Sequence, residues 1–217
     1  MEALEKLLKD ELQDLYDAEQ QLVKAIPKMI DAANSSELQA ALKDHLSVTQ
    51  NQVTRLEQVF DELGEKPQRK PCKGMAGIIS EGQEMLGEDL EEATMDAAII
   101  SAAQKVEHYE IASYGTVRTL AQTIGNNEIA ELLEETLEEE KEADRLLTEI
   151  AEGSINVEAA SEEDEDKGER SGNGRSRSNK SSRAANSSSK TRTTRRSRAA
   201  RKRLANSTHS SRARRRA

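Results

Sequence analysis

Residues 8–30 read LKDELQDLYDAEQQLVKAIPKMI. Leu8, Leu12, Leu15, Leu22, Val23, Ile26 and Ile30 recur at steps of three, four and seven, which predicts one amphipathic helix over 2–33. At about 100° per residue, a wheel centred on Glu19 places Leu8, Leu12, Leu15, Val23, Ile26 and Ile30 within roughly 40° of it. A carboxylate in the middle of an apolar stripe is the feature that any fold for this chain has to accommodate.

Asn34-Ser35-Ser36 ends this helix, and Ser36 is a candidate N-cap for the next. A second helix is predicted over 37–64, with Leu38, Leu42, Leu46, Val53, Leu56 and Phe60 on its stripe and Gly64 as its stop. The loop EKPQRKPCKGMAG follows, and then a short helix over 75–87. A third long helix is predicted over 89–124, halted by Gly125-Asn126-Asn127. A fourth covers 128–152 and ends at Gly153. Two helical hairpins joined by one long crossover describe an all-α, ferritin-like four-helix bundle with a short extra helix in the crossover.

The other stripes repeat the anomaly. Glu107 is flanked by Ile100, Ala103, Ile111 and Tyr114, with Glu110 about 60° to one side. Glu140 is flanked by Ile129, Leu133, Thr136 and Leu147, with Asp144 on the same side. The second helix instead carries His45, Thr49 and Gln52 there and has no carboxylate. In an antiparallel hairpin, equal distance from the turn means equal height. Glu19 and Gln52 then share a level in one hairpin, and Glu110, Glu140 and Asp144 in the other. His45 is ten residues from its turn, roughly a helical turn or more from that level. Burying several carboxylates without a cation is costly, and oxygen-rich sites of this kind suit iron or manganese. The alternative is that these acids lie on wide solvated helix faces, as most acids of this chain do.

The chain has 217 residues, 32 Lys+Arg, 41 Asp+Glu and a net charge of −9. That average conceals a division. Residues 1–166 hold 14 Lys+Arg and 40 Asp+Glu, a net −26, while 167–217 hold 18 Lys+Arg and one acid, a net +17. The domains read as a helical bundle over 1–152, an acidic linker over 153–166 and a basic Ser/Arg-rich tail over 167–217. The tail has almost no apolar residues beyond Ala and Leu204, and is expected to be disordered. Its arginines and lysine at Arg195, Arg196, Arg198, Arg201, Lys202, Arg203, Arg212, Arg214, Arg215 and Arg216 suit phosphate neutralisation without sequence readout. With no aromatic residue in the tail, base stacking is not expected. Nonspecific DNA or RNA is the partner this implies, or else the tail lies on its own acidic body.

A single cysteine excludes an internal disulfide framework. No window is apolar enough for a membrane span, and the charged N-terminus lacks a secretory signal, so a cytoplasmic setting is expected. No phosphate-cradling glycine loop, CxxC pair or nucleophile triad is present.

The segments LYDAEQQL (15–22), HLSVTQNQVTRLEQVF (45–60), QKVEHYEIASYGT (104–116) and ETLEEEKEAD (135–144) resemble the YciF-like bacterial ferritin-like family. The resemblance covers about 1–152. It implies a stress-associated helical bundle with a di-metal site that often forms a dimer. Carried over by motif, the ligand positions are Glu19, Glu107, Glu110, Glu140 and Asp144. The family's usual helix-2 acid falls on Val48, which leaves Gln52 as the donor there, with His45 either a further donor or a core histidine. His108, Tyr16 and Tyr114 are neighbours that orient ligands or simply pack. The implied cofactor is one or two ions of iron or manganese. The function expected is stress protection by a metal site reacting with peroxide or O2. The competing expectation is a non-catalytic dimeric stress or scaffold bundle.

Overall fold

The computed structural model describes residues 1–162. Among them are five helices and no strand: α1 Glu2–Ala32, α2 Ser36–Glu62, α3 Lys73–Met85, α4 Glu92–Thr123 and α5 Asn127–Ile150. The expected tail, 167–217, and the end of the expected linker, 163–166, lie outside the described residues.

The stops are local. Gly64 (φ 68°) and Gly125 (φ 88°) adopt the left-handed conformation, which costs a glycine little. Each closes a paired backbone cap: Gly64 N–H bonds Asp61 O and Glu65 N–H bonds Phe60 O, while Gly125 N–H bonds Gln122 O and Asn126 N–H bonds Ala121 O. The N-cap of α2 is Ser35 rather than Ser36; its Oγ accepts from Leu38 N–H at 3.3 Å.

α1 packs on α2 and α4, and α5 packs on α4 and α2, so the four long helices form a closed square. α3 lies against α4 and α1 on the crossover side. Asp17 of α1 holds the crossover in place. Its carboxylate accepts from Cys72 N–H at 2.8 Å and from Arg69 Nε at 2.8 Å. The crossover returns the chain to the α1–α2 turn, where α4 begins. There the Asp96 carboxylate accepts from the backbone N–H groups of Asn34 and Ser35, both at 2.7 Å.

The end of α5 departs from expectation. Gly153 does not stop it; a π-helical turn, Ala151–Ile155, is followed by helix over 156–162. Ile155 is 1% exposed and joins the apolar cluster beneath the α4 start, which carries the helix past its glycine. Glu162 then accepts from the N–H groups of Ala93 (2.9 Å) and Thr94 (3.1 Å), an anion at the N-terminus of α4. The first ten residues of the expected linker are therefore part of the helical body.

The interior contains two apolar clusters. One includes Leu22, Ile26, Leu38, Leu42, Ile99 and Leu147; the other includes Leu8, Leu12, Leu56, Phe60, Val117 and Leu133. Between them, at mid-height, lie the buried polar residues Glu19, Thr49, Gln52, Glu107, Glu110, Thr136 and Glu140.

Asp96→Ala removes both charge-assisted bonds at the α1–α2 turn and is expected to cost about 2–3 kcal/mol in urea unfolding. Asp96→Asn, which keeps one acceptor, is expected to cost about half of that. A loss below about 0.5 kcal/mol for the alanine variant contradicts this account.

Candidate metal centre

Each long helix sends polar side chains into the mid-bundle layer. α1 supplies Glu19, α2 supplies His45 and Gln52, α4 supplies Glu107, Glu110 and Tyr114, and α5 supplies Glu140. Glu19 and Glu140 are fully buried, and Glu107, Glu110 and Gln52 nearly so. One ligand atom each from His45, Glu107, Glu110 and Glu140 lies within 4.8 Å of all the others. Glu19 sits beside this group; burial, and then the Glu19 charge, raise the carboxyl of Glu110. Burial and the neighbouring Glu140 carboxylate likewise raise the carboxyl of Glu107. His45 Nε2 is 3.3 Å from Glu107 Oε1.

Few donors face these acids. Tyr114 donates its hydroxyl to Glu19, and Gln52 Nε2 donates to Glu140 and, at 3.1 Å, to Glu139. Glu139 is gripped in turn by Arg55, whose Nη1 is 2.7 Å from it and also 2.7 Å from Thr136 Oγ1. Among the described residues, five buried side-chain oxygens have no hydrogen-bond partner: Glu19 Oε2, Gln52 Oε1, Glu107 Oε2, Glu110 Oε1 and Glu140 Oε2. All five belong to this one layer. Orphaned buried oxygens are rare in folded proteins and call for an explanation. A divalent cation supplies one, and a set of carboxylates with one imidazole fits iron or manganese.

Two expected positions are placed differently. Asp144 is only part-buried and lies outside the cluster; it accepts from Gln104 Nε2 at 3.2 Å, and His108 Nε2 is 3.3 Å away. His108 itself is exposed. His45, expected about a turn from the level of Glu19, is in the cluster, where it meets Glu107. The physical reason is the Asp96 clasp. It sets the start of α4 level with that turn, so His45, ten residues below Ser35, meets Glu107, eleven residues below Asp96. Tyr16 also points elsewhere, donating to Glu57 at 2.8 Å and packing edge-on against Phe60. Val48 is half-buried and contributes no donor to the layer. Arg55 and Glu139 escaped the sequence reading, although Arg55 follows Gln52 by three residues and so shares its helix face.

Comparison with known proteins bears on this arrangement. Residues 3–160 match a family described as a domain of unknown function, DUF892. This chain belongs to that family. Among its relatives, YciF of Escherichia coli strain K12 is 43% identical over 160 residues, 73% of this chain and 96% of YciF. The crystal structure of the E. coli stress protein YciF superposes with a TM-score of 0.69 at 43% identity, covering 72% of this chain and 99% of that one. YcfI, a candidate structural protein of Rhodopseudomonas palustris, superposes with a TM-score of 0.66 at 46% identity, covering 67% and 92%. The DUF892 match thus spans the helical body and stops short of the basic segment. Among the described residues, no helix is long and apolar enough to cross a membrane.

In this DUF892 chain the layer is electrostatically incomplete. Burial, and then the Glu140 charge, push the Glu19 carboxyl from 4.5 to about 8. Burial pushes Glu107, Glu110 and Glu140 upward as well. Burial lowers His45 to about 4, so its imidazole is neutral at pH 7 and keeps a free lone pair. The nearby cation, Arg55, is held on Glu135 and Glu139 and eases the charge of Glu140 only in part. The folded, metal-free protein therefore holds protons that the unfolded chain releases near 4.5.

Raised carboxyl values stabilise the fold below 4.5 and lose that contribution as pH rises through about 8. The melting temperature of the metal-free protein is expected to fall across that window. Glu19→Gln, which removes one titrating group while keeping its shape, is expected to flatten the fall. Identical pH profiles for the two proteins in thermal unfolding contradict the assignment.

Proposed function

We propose that this protein is a stress-protective ferritin-like bundle whose mid-height carboxylates hold iron or manganese that reacts with peroxide or O2. The observation that carries this reading is the convergence of five orphaned oxygens on one buried layer whose charge Arg55 eases only in part. His45, Glu107, Glu110 and Glu140 would hold the ion, with Glu19 beside them available to a second. A bound Fe(II) would supply electrons to peroxide or O2 and be withdrawn from free solution.

The chain's own residues prepare for this. Tyr114 fixes the Glu19 carboxyl with its hydroxyl, and burial keeps that hydroxyl protonated. Gln52 fixes Glu140, and Arg55 fixes Gln52's second partner, Glu139. The two apolar clusters above and below exclude water from the layer.

A second reading follows from Val48, which leaves α2 without an acid at the layer. On that reading the protein is a non-catalytic dimeric scaffold, in keeping with the structural role attached to YcfI. The +17 segment 167–217 extends the first reading to nonspecific DNA or RNA, in a homodimer of cytoplasmic location.

Anaerobic titration with Fe(II) or Mn(II) separates the two readings. The metal reading expects one or two ions per chain, a raised melting temperature, and loss of both in the Glu107→Ala/Glu140→Ala variant. An unchanged melting temperature in wild type favours the scaffold. For the basic segment, the full chain is expected to shift DNA in a gel at low salt and to release it as salt rises. A 1–166 truncation that binds DNA equally well rules out a role for that segment.

A further inference from the structure

The carboxylate layer is closed above and below by apolar side chains, so a cation needs a lateral way in. One side of the bundle differs from the rest. A groove runs between α2 and α5, and its walls carry Asp44, Glu135, Glu138, Glu139 and Glu142. Ala41, His45, Ala143 and Leu146 line both this groove and a small inner cavity on the other side, which Glu107 also lines. Glu107 is 2% exposed, and its Oε2 has no hydrogen-bond partner. The groove and the inner cavity are thus separated by a wall one side chain thick.

A second link joins groove and layer. Glu139 is on the groove wall, yet it shares the Gln52 amide with fully buried Glu140. Carboxylates therefore continue from exposed Glu138 and Glu142, through part-exposed Glu139, to buried Glu140. The five acids outnumber the three cations paired with them, Arg55, Lys141 and Arg145, so the groove keeps a net negative charge, which concentrates counter-ions and speeds their arrival.

We propose that divalent cations reach the layer through this α2–α5 groove, drawn in by its acidic rim and admitted past His45 and Glu139. The route rests on the metal-binding reading above and specifies how that site is loaded. Glu138 and Glu142 act on entry alone, because neither touches the buried layer; their partners are the exposed Lys141 and Arg145.

The test uses the full chain, Co(II) as the probe, and stopped-flow absorption to follow loading. Glu138→Gln/Glu142→Gln is expected to load about three- to tenfold more slowly, with unchanged final stoichiometry and a weaker dependence on ionic strength. Glu84→Gln/Glu88→Gln makes the same charge change away from the groove and is expected to load within about twofold of wild type. Ala143→Phe, which fills the passage, is expected to slow loading at any salt concentration, with helix content checked by circular dichroism. Wild-type loading rates in the rim variant and in a folded Ala143→Phe variant overturn the route while leaving the metal site standing. Failure of the wild-type protein to bind Co(II), Fe(II) or Mn(II) at equilibrium overturns both.

Discussion

Four glutamate side chains share one dehydrated layer, and the rest of the molecule is arranged around that constraint. Each ionised carboxylate taken out of water costs several kcal/mol unless it is paired. A core built only for stability would fill the layer with leucine and join the two apolar clusters into one. This bundle instead interrupts its core at mid-height on all four long helices. It then provides one tyrosine hydroxyl, one amide and one neutral imidazole against four acids. Local rules broken without an internal remedy are the usual mark of a site that function maintains.

Acids elsewhere in the body show what full satisfaction looks like. Asp96 accepts two backbone N–H groups at the α1–α2 turn, Asp17 holds the crossover, and Glu162 sits at the start of α4. Each meets donors that its surroundings already leave free, so each is structural. Glu19, Glu107, Glu110 and Glu140 meet mainly one another. Residue type and burial are common to both groups; the supply of donors separates them. Through Asp96 the structural acids also set the buried layer, since that clasp levels the start of α4 with the α1–α2 turn and so brings Glu107 to His45.

Helices, hairpins and the crossover were legible because apolar periodicity and the Gly64 and Gly125 stops are local signals. The direction of Glu19, Glu107 and Glu140 was legible for the same reason: a wheel reports angle well. Height was less legible. Counting from each hairpin's own turn ranks residues within a hairpin, but it carries no information on how one hairpin slides along the other. His45 was therefore left a turn from Glu19 without sight of its meeting with Glu107, and Asp144, a turn beyond Glu140 on the same side of α5, meets Gln104 and His108 instead of the cluster. Gly153 misled for a related reason. A glycine weakens a helix by about 1 kcal/mol, and the burial of Ile155 outweighs that only once the tertiary partner is known.

The absence of an acid from α2 sets the charge of the layer. With Val48 turned away and Gln52 and His45 neutral, the layer can carry no more than the four charges of its glutamates. Two divalent ions balance four carboxylates. One divalent ion balances two, and a proton on each of the remaining pair would complete the balance. A neutral α2 therefore leaves both occupancies free of net charge, with protons making up the difference. A fifth acid at position 48 would remove that latitude, since one ion would then leave three carboxyls to be protonated in a space that already lacks donors. Valine at position 48 is therefore compatible with the site, because it keeps the charge the layer must neutralise at four carboxylates.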